Sequence, residues 1–595
     1  MSRTYAAGIP QVRPQLVIWI LAAVCLLRVA AAFLPTGYVW GVSFAHDVTP
    51  ALAWPLVLLM CASVAAAFGW RARVQAEPRT AFAAAWPFAL GTVLALLLAC
   101  VPDRQHFVGD FVIRLGILES RHGFERIFPQ ALPLDRALNH LLPIEIGGRL
   151  HLEPALVLRG LGLFEAVMLV ALAVRFARRV ASTEVAAFSV AAVLCFGGYA
   201  TLLTGYSKPT TQVILCAIAV GTLGWEWVVL GTGGRWLALA TAVGVAVHRG
   251  GLPLIVPFAV AHLLAWRHAV NDSRRARLAR IAGMLLPFAV LAWEAPRLAA
   301  VIRSFDVPVN FAPEEVRQRG GMWLAAFSPL RLRDDVNALL FHAPLAPLAL
   351  LALAGGWRDR QPVFFTSLVA AFLPVLLFVF LPLGPFRDYD SLGGAGASVA
   401  VISAWAIARV LDGSAPERAR ALAIAVTASV VVPFLLVLFS LADLDRGFAR
   451  ARALASGPPR RSATQRASLL DWVGLRALNE ERYDVAHEAF RDLCRETPIP
   501  HALKLWGASS LLVGQPGEAR EAFTQLLAGS AADPVGCYGL WMSAKLSGDT
   551  LLERRAEVQV GQWRDDGPEM RTVVDFLDHY PQLYALVGRS RAPAP

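Results

Sequence analysis

The 595-residue chain is 56% hydrophobic and only 17% charged, where a soluble domain carries about a quarter charged residues. Its mean hydropathy is +0.53, which argues against a soluble enzyme or a disordered segment and for a polytopic membrane protein. The net charge of +11 sits on arginines gathered in short loops, a topology pattern, and no basic groove interleaved with aromatics suggests nucleic acid.

Apolar runs near 20 residues, the length that crosses a hydrocarbon core, give about thirteen spans. They begin with 16–34, 51–70, 81–101, 154–174, 185–203, 211–230, 236–247 and 252–266. The remainder are 281–300, 346–356, 362–381, 395–410 and 421–441. The first run is too long for a signal-peptide core and reads as an uncleaved anchor. Counting from a cytoplasmic N-terminus places Arg71, Arg73, Arg79, Arg175, Arg178, Arg179, Arg235 and the cluster Arg267 to Arg280 on one side. The opposite side receives two long loops, 102–153 and 301–345, and the short stretches around Tyr206, His248 and Arg387. The fold class is therefore all-α, with residues 1–442 a multi-span bundle.

Residues 443–466 are polar and contain Gly457-Pro458-Pro459, a linker signal. From 467 to 595 the sequence repeats. Glu481, Gly514 and Gly548 share a register spaced 33 and 34 residues apart, with Ala486 and Ala519, then Phe490 and Phe523, following in step. Small residues at a helix crossing with an aromatic behind them suit stacked helix pairs, and the period resembles the tetratricopeptide repeat. An odd number of spans puts this unit on the non-cytoplasmic side.

The chemistry-bearing residues lie in the loops of that side. Gly109-Asp110 precedes the amphipathic run Phe111 to Glu119. A carboxylate there can act as a general base towards a hydroxyl, or cap the run that follows. Leu132 to Asp135 resembles a helix start, with Asp135 and His140 reading as structural. Tyr206 and Lys208 flank Ser207; Lys208 is the only lysine before residue 500, and the pair suits either an anion or an interfacial belt. His248-Arg249-Gly250-Gly251 pairs two basic groups with glycines that permit close approach of the backbone to a ligand. Arg387-Asp388-Tyr389-Asp390 closes an apolar run, where ion pairs are costly. Arginine offers a fork matched to phosphate, and the acids could orient it, bind a metal or contact sugar hydroxyls. None of the seven cysteines forms a CxxC or Cys/His metal spacing, and no phosphate-cradling loop appears on the cytoplasmic side.

Taken together, Gly109-Asp110, Leu132 to Asp135, Gly205-Tyr206, His248 and Arg387-Asp388-Tyr389-Asp390 resemble the layout of GT-C integral-membrane glycosyltransferases, in the bacterial type that carries C-terminal tetratricopeptide repeats. The resemblance covers roughly residues 80–400. It implies a polyprenyl-phosphate-linked sugar as donor, an acceptor on the periplasmic side of a bacterial inner membrane, and Asp110 as catalytic base with inversion at the anomeric carbon. Arg387, Arg249 and Lys208 would hold the carrier phosphate; Asp388, Asp390, Tyr206 and His248 would complete the substrate site. Many relatives carry paired acids in the first loop, whereas this chain has a single Asp after glycine, so a divalent metal stays open. The repeats would present a protein acceptor or partner. Two other readings remain: a membrane-anchored scaffold working through its repeats, and a transporter of lipid-linked glycans, for which Glu165 is the most nearly mid-span acid.

Overall fold

The structure, a computed structural model, describes residues 13–69, 80–109, 111–119, 123–206, 208–266, 274–353 and 359–586. Among these residues it is all helix and turn, with no strand. Lipid leaves no other choice to an open chain, because every backbone polar group in hydrocarbon must be satisfied within its own segment. The chain divides into two compact units, Met1–Gly447 and Phe448–Pro595.

In the first unit, nine helices among the described residues are long and apolar enough to cross a membrane: Pro14–Ala31, Pro50–Phe68, Ala83–Cys100, Pro154–Val180, Thr210–Leu230, Ile281–Phe311, Arg360–Phe378, Tyr389–Asp412 and Pro416–Ala442. A bent pair, Glu184–Cys195 with Gly198–Thr204, forms a tenth if counted as one span. Proline opens several of them, as at Pro14, Pro154 and Pro416, where its missing N–H would be unpaired in any case. Thr183 caps its helix by accepting from the Ala186 amide.

The count falls below thirteen for a geometric reason. The apolar helix Gly234–Val247 has 14 residues, which at 1.5 Å per residue reaches about 21 Å, short of a 30 Å core. Its neighbour Arg249–Leu264 is short as well. The run 346–356 becomes the seven-residue helix Pro347–Leu353, and its end lies outside the described residues.

Burial identifies the centre of the bundle. Of the best 18-residue windows, those of Thr210–Leu230 and Tyr389–Asp412 are 89% and 94% buried, whereas those of Ala83–Cys100 and Ile281–Phe311 are each 22% buried. The two central helices meet through small residues. A Cβ at Gly221 would press on Val401, and one at Gly393 on Ile214. Small residues of this kind let apolar helices approach closely where no hydrophobic force draws them together. Both central helices begin at the charged end of the bundle, next to Lys208 and Asp390.

The second unit consists of antiparallel helix pairs: Ala463–Asn479 with Tyr483–Glu496, Pro500–Leu512 with Pro516–Gly529, and Pro534–Ser547 with Thr550–Val560. Gly474 faces the ring of Phe490 and Gly507 that of Phe523, so the first two pairs each set a glycine against an aromatic, and Gly539 of the third pair meets Phe523 of the second. The stretch between the two sequence domains is not wholly irregular, because Leu444–Ser456 is a helix.

Candidate functional site

The loop after the helix Ala83–Cys100 is strapped to the end of the helix Pro416–Ala442. Asp103 accepts from the amides of Gln105 and His106 at 2.8 and 3.0 Å. The Gln105 side chain donates to the carbonyls of Ser440 and Asp443 at 2.6 and 2.9 Å. The strap continues at Arg387, whose guanidinium donates to the carbonyls of Phe107 and Gly109 at 3.4 and 3.2 Å. In return the Gly109 amide donates to the Arg387 carbonyl at 3.1 Å. Gly109 has φ +43°. A Cβ on it would lie 2.5 Å from Lys208 Nζ and 2.7 Å from Asp388 Oδ1. Glycine is therefore needed here both for the backbone conformation and for the absence of a side chain. Asp110 itself lies outside the described residues; its neighbour Gly109 stands against Lys208 and Asp388.

A cavity of about 740 Å³ opens beside this loop. It gathers residues from six separate stretches of the chain. Three cation–carboxylate pairs line it: Lys208–Asp390 at 3.1 Å, Arg249–Asp306 at 3.0 Å and Arg114–Asp135 at 3.1 Å. Thr210 donates to Asp390 at 3.3 Å, and Asn310 to Asp306 at 2.8 Å. His248, Asp388, Gln130 and Ser391 complete the polar lining. The remaining wall is apolar and comes from Ile302, Phe305, Val309, Val375, Val379 and Leu381.

Of the residues expected from sequence, Lys208, His248, Arg249, Asp388 and Asp390 converge on this cavity. Two do not line it. Tyr206 packs its ring on Phe111 at 4.4 Å. Arg387 is taken up by backbone carbonyls and by the Phe107 ring, so it positions the Gly109 loop rather than facing the cavity. The glycines after Arg249 also pack closely. A Cβ at Gly251 would strike the carbonyl of Gly244, and one at Gly250 would meet the His248 ring. They close a tight turn, in which the Gly250 amide donates to His248 Nδ1 at 3.1 Å, and Gly250 itself lines the cavity.

Three lining residues escaped the sequence reading of the site. Arg114 follows Asp110 by four residues, one helical turn, and that spacing was visible in the amphipathic run. Its guanidinium grips both oxygens of Asp135 and lies over the rings of Phe128 and Phe124 at 4.6 and 5.6 Å. Asp306 and Asn310 stand four apart on the π-helix Ile302–Phe311, also a readable spacing. Asp135, read as structural, is both an ion-pair partner and a wall of the cavity.

A line of hydrogen bonds leads away from Asp135 into the bundle. Asn139 donates to Asp135 at 3.0 Å, faces the Gln212 amide at 3.3 Å, and Gln212 in turn donates to Glu165. His140 stacks on Phe124 at 4.6 Å. Burial, with Arg136 and Arg114 nearby, pushes its pKa below the ordinary value. No group of three His, Cys, Asp or Glu among the described residues is placed to hold a metal.

Chemically, each paired cation is held in place by its carboxylate yet has further N–H donors. In a cavity walled by apolar side chains such fixed donors act on a ligand's oxygens more strongly than in water. The carboxylates supply acceptors for hydroxyl groups. Comparisons with protein-family models, with curated proteins and with solved structures find no match.

Proposed function

We propose that the chain is a GT-C-type membrane glycosyltransferase that moves a sugar from a polyprenyl-phosphate carrier to an acceptor on the periplasmic side of a bacterial inner membrane. The observation that carries this reading is the mixed lining of the cavity. Lys208, Arg249 and Arg114 line it with their carboxylates, together with apolar side chains such as Ile302, Phe305 and Val375. A lipid phosphate joined to a sugar has those same parts: an apolar chain, an anionic link and a ring of hydroxyls. In this reading Lys208 and Arg249 hold the phosphate and stabilise the leaving group's charge. Asp388 and Asp390 take sugar hydroxyls, and Asp110, next to Gly109 at the charged end, removes the acceptor's proton. The paired-helix unit is read as a tetratricopeptide-like domain that presents the acceptor or docks a partner.

A transporter would keep its mid-span acids open to a pathway. Here Glu165 is bonded to Gln212, and Glu226 is held by Arg175 and Arg179 at 2.6 and 3.4 Å, so these acids serve packing. The test compares envelope glycoconjugates by mass spectrometry in wild-type, deletion, Asp110→Asn and Lys208→Met strains at equal protein level. Loss of one glycan in all three altered strains supports the transferase. A full glycan profile from both point variants refutes it.

A further inference from the structure

The helix Pro329–His342 is inside out for a helix in water. Arg331, Asp334, Asp335 and Asn337 are buried, while Leu332 and Val336 are 40% and 54% exposed. A helix on the surface of a soluble domain turns its apolar stripe inward and its charges outward. Here the buried polar side chains are engaged within the chain. Asp334 accepts from the Trp40 indole at 3.0 Å, and Asn337 accepts from the Gly41 amide at 2.9 Å and donates to the Tyr38 carbonyl at 3.0 Å. Arg331 pairs with Asp335 at 3.0 Å and donates to the carbonyls of Leu376 and Val379.

The exposed apolar face continues into the short helix before it, Met322–Ala326. Trp323, Leu324 and Phe327 are 68%, 66% and 53% exposed. The Trp323 and Phe327 rings stack, and Trp323 meets the ring of Phe378 edge-on at 4.8 Å. Phe378 ends the spanning helix Arg360–Phe378. The aromatics therefore stand at the level where a span ends, which is where tryptophan gathers in membrane proteins. Just ahead of them Arg317 and Gln318 are exposed, so polar side chains give way to aromatic ones as they do across a headgroup boundary. All of these residues belong to the stretch 301–345 that reads as a loop, and a contiguous apolar patch in a loop marks a contact with lipid or with another protein.

We propose that residues 322–336 are seated in the bilayer at the boundary between acyl chains and headgroups, with Trp323, Leu324, Phe327, Leu332 and Val336 against lipid. Lipid is favoured over a protein partner because the patch is continuous, through Phe378, with a helix that crosses the membrane. The proposal needs only a membrane-embedded chain and is independent of the transferase reading. The seat also reaches the cavity. Arg331, on the buried side of the same helix, holds the carbonyls of Leu376 and Val379, and Val375 and Val379 belong to the cavity lining. Lipid contact on one side of this helix thus steadies part of the cavity wall on the other.

The experiment places an environment-sensitive fluorescent amino acid, by genetic encoding, at position 324 or 336 of the full chain. The protein is reconstituted in phosphatidylethanolamine–phosphatidylglycerol vesicles, with and without phospholipid brominated in the upper acyl chain. A label at Phe88, 80% exposed on the span Ala83–Cys100, is the lipid reference, and the free amino acid in buffer is the water reference. Labels at both loop positions should lose emission to the brominated lipid at least as strongly as the Phe88 label, and aqueous iodide should quench them several-fold less than the free amino acid. Strong iodide quenching with no loss to the brominated lipid overturns the proposal. Shielding from both quenchers overturns it too, and chemical cross-linking into dimers would then identify a second copy of the chain as the cover. Each labelled chain is first shown to keep wild-type helicity by circular dichroism, and the second position keeps the test open should one label disturb folding.

Discussion

Replacing Asp135 by Ala is the sharpest test of the cavity's construction. Arg114 and Asp135 are 5% and 0% exposed at their side chains and meet through two parallel bonds at 3.1 Å. Removing the carboxylate strands a guanidinium in a buried site, a change that costs about 3–5 kcal/mol. Loss of the Asn139 bond adds about 1 kcal/mol. The combined Arg114→Met, Asp135→Leu variant removes both charges and keeps side-chain volume, so it should recover most of the loss. The coupling between the sites should then exceed about 2 kcal/mol. Unfolding by SDS titration in detergent micelles, followed by circular dichroism, measures Asp135→Ala, the single variants Arg114→Met and Asp135→Leu, and their combination against wild type. A single-variant cost below about 1 kcal/mol, or additive effects in the double variant, would refute a desolvated and mutually dependent pair.

Further outcomes follow from other residues. Gly109→Ala forces a side chain onto a backbone at φ +43° and against Lys208 and Asp388. The strain of about 1–2 kcal/mol should fall on the site, lowering glycan transfer about tenfold or more while the protein still folds. His342 is buried, with Nε2 donating to the Tyr389 carbonyl at 2.7 Å, and burial lowers its pKa to about 4. The unfolded chain therefore binds this proton first, so its share of stability is complete above about pH 6.5 and lost as pH falls towards 4, at about 1.4 kcal/mol per unit. His342→Gln should flatten that part of a stability-against-pH curve. Gly507→Leu should overpack the contact with Phe523 and destabilise the repeat unit by about 1–3 kcal/mol, seen as a lower melting midpoint by circular dichroism.

Much of the site was readable because its residues are costly where they stand. Lys208, Arg249, Asp388 and Asp390 are charges at the ends of apolar runs, and such charges persist only when paired or used. What could not be read was which charge faces which. Arg387 and Arg249 look alike in sequence, yet one ties down a loop through carbonyls and the other lines the cavity beside Asp306. The glycines of 250–251 carry no mark that separates ligand contact from helix packing.

The sequence by itself determined the membrane class, the helical secondary structure and the paired-helix period, because each depends on local pattern: run length against bilayer thickness, and small-to-aromatic spacing against helix crossing. Only the tertiary structure decided the partners. The pairing of Lys208 with Asp390, Arg249 with Asp306 and Arg114 with Asp135 joins residues 182, 57 and 21 positions apart. Such contacts are set by how helices pack and where loops can reach, and no local pattern encodes them.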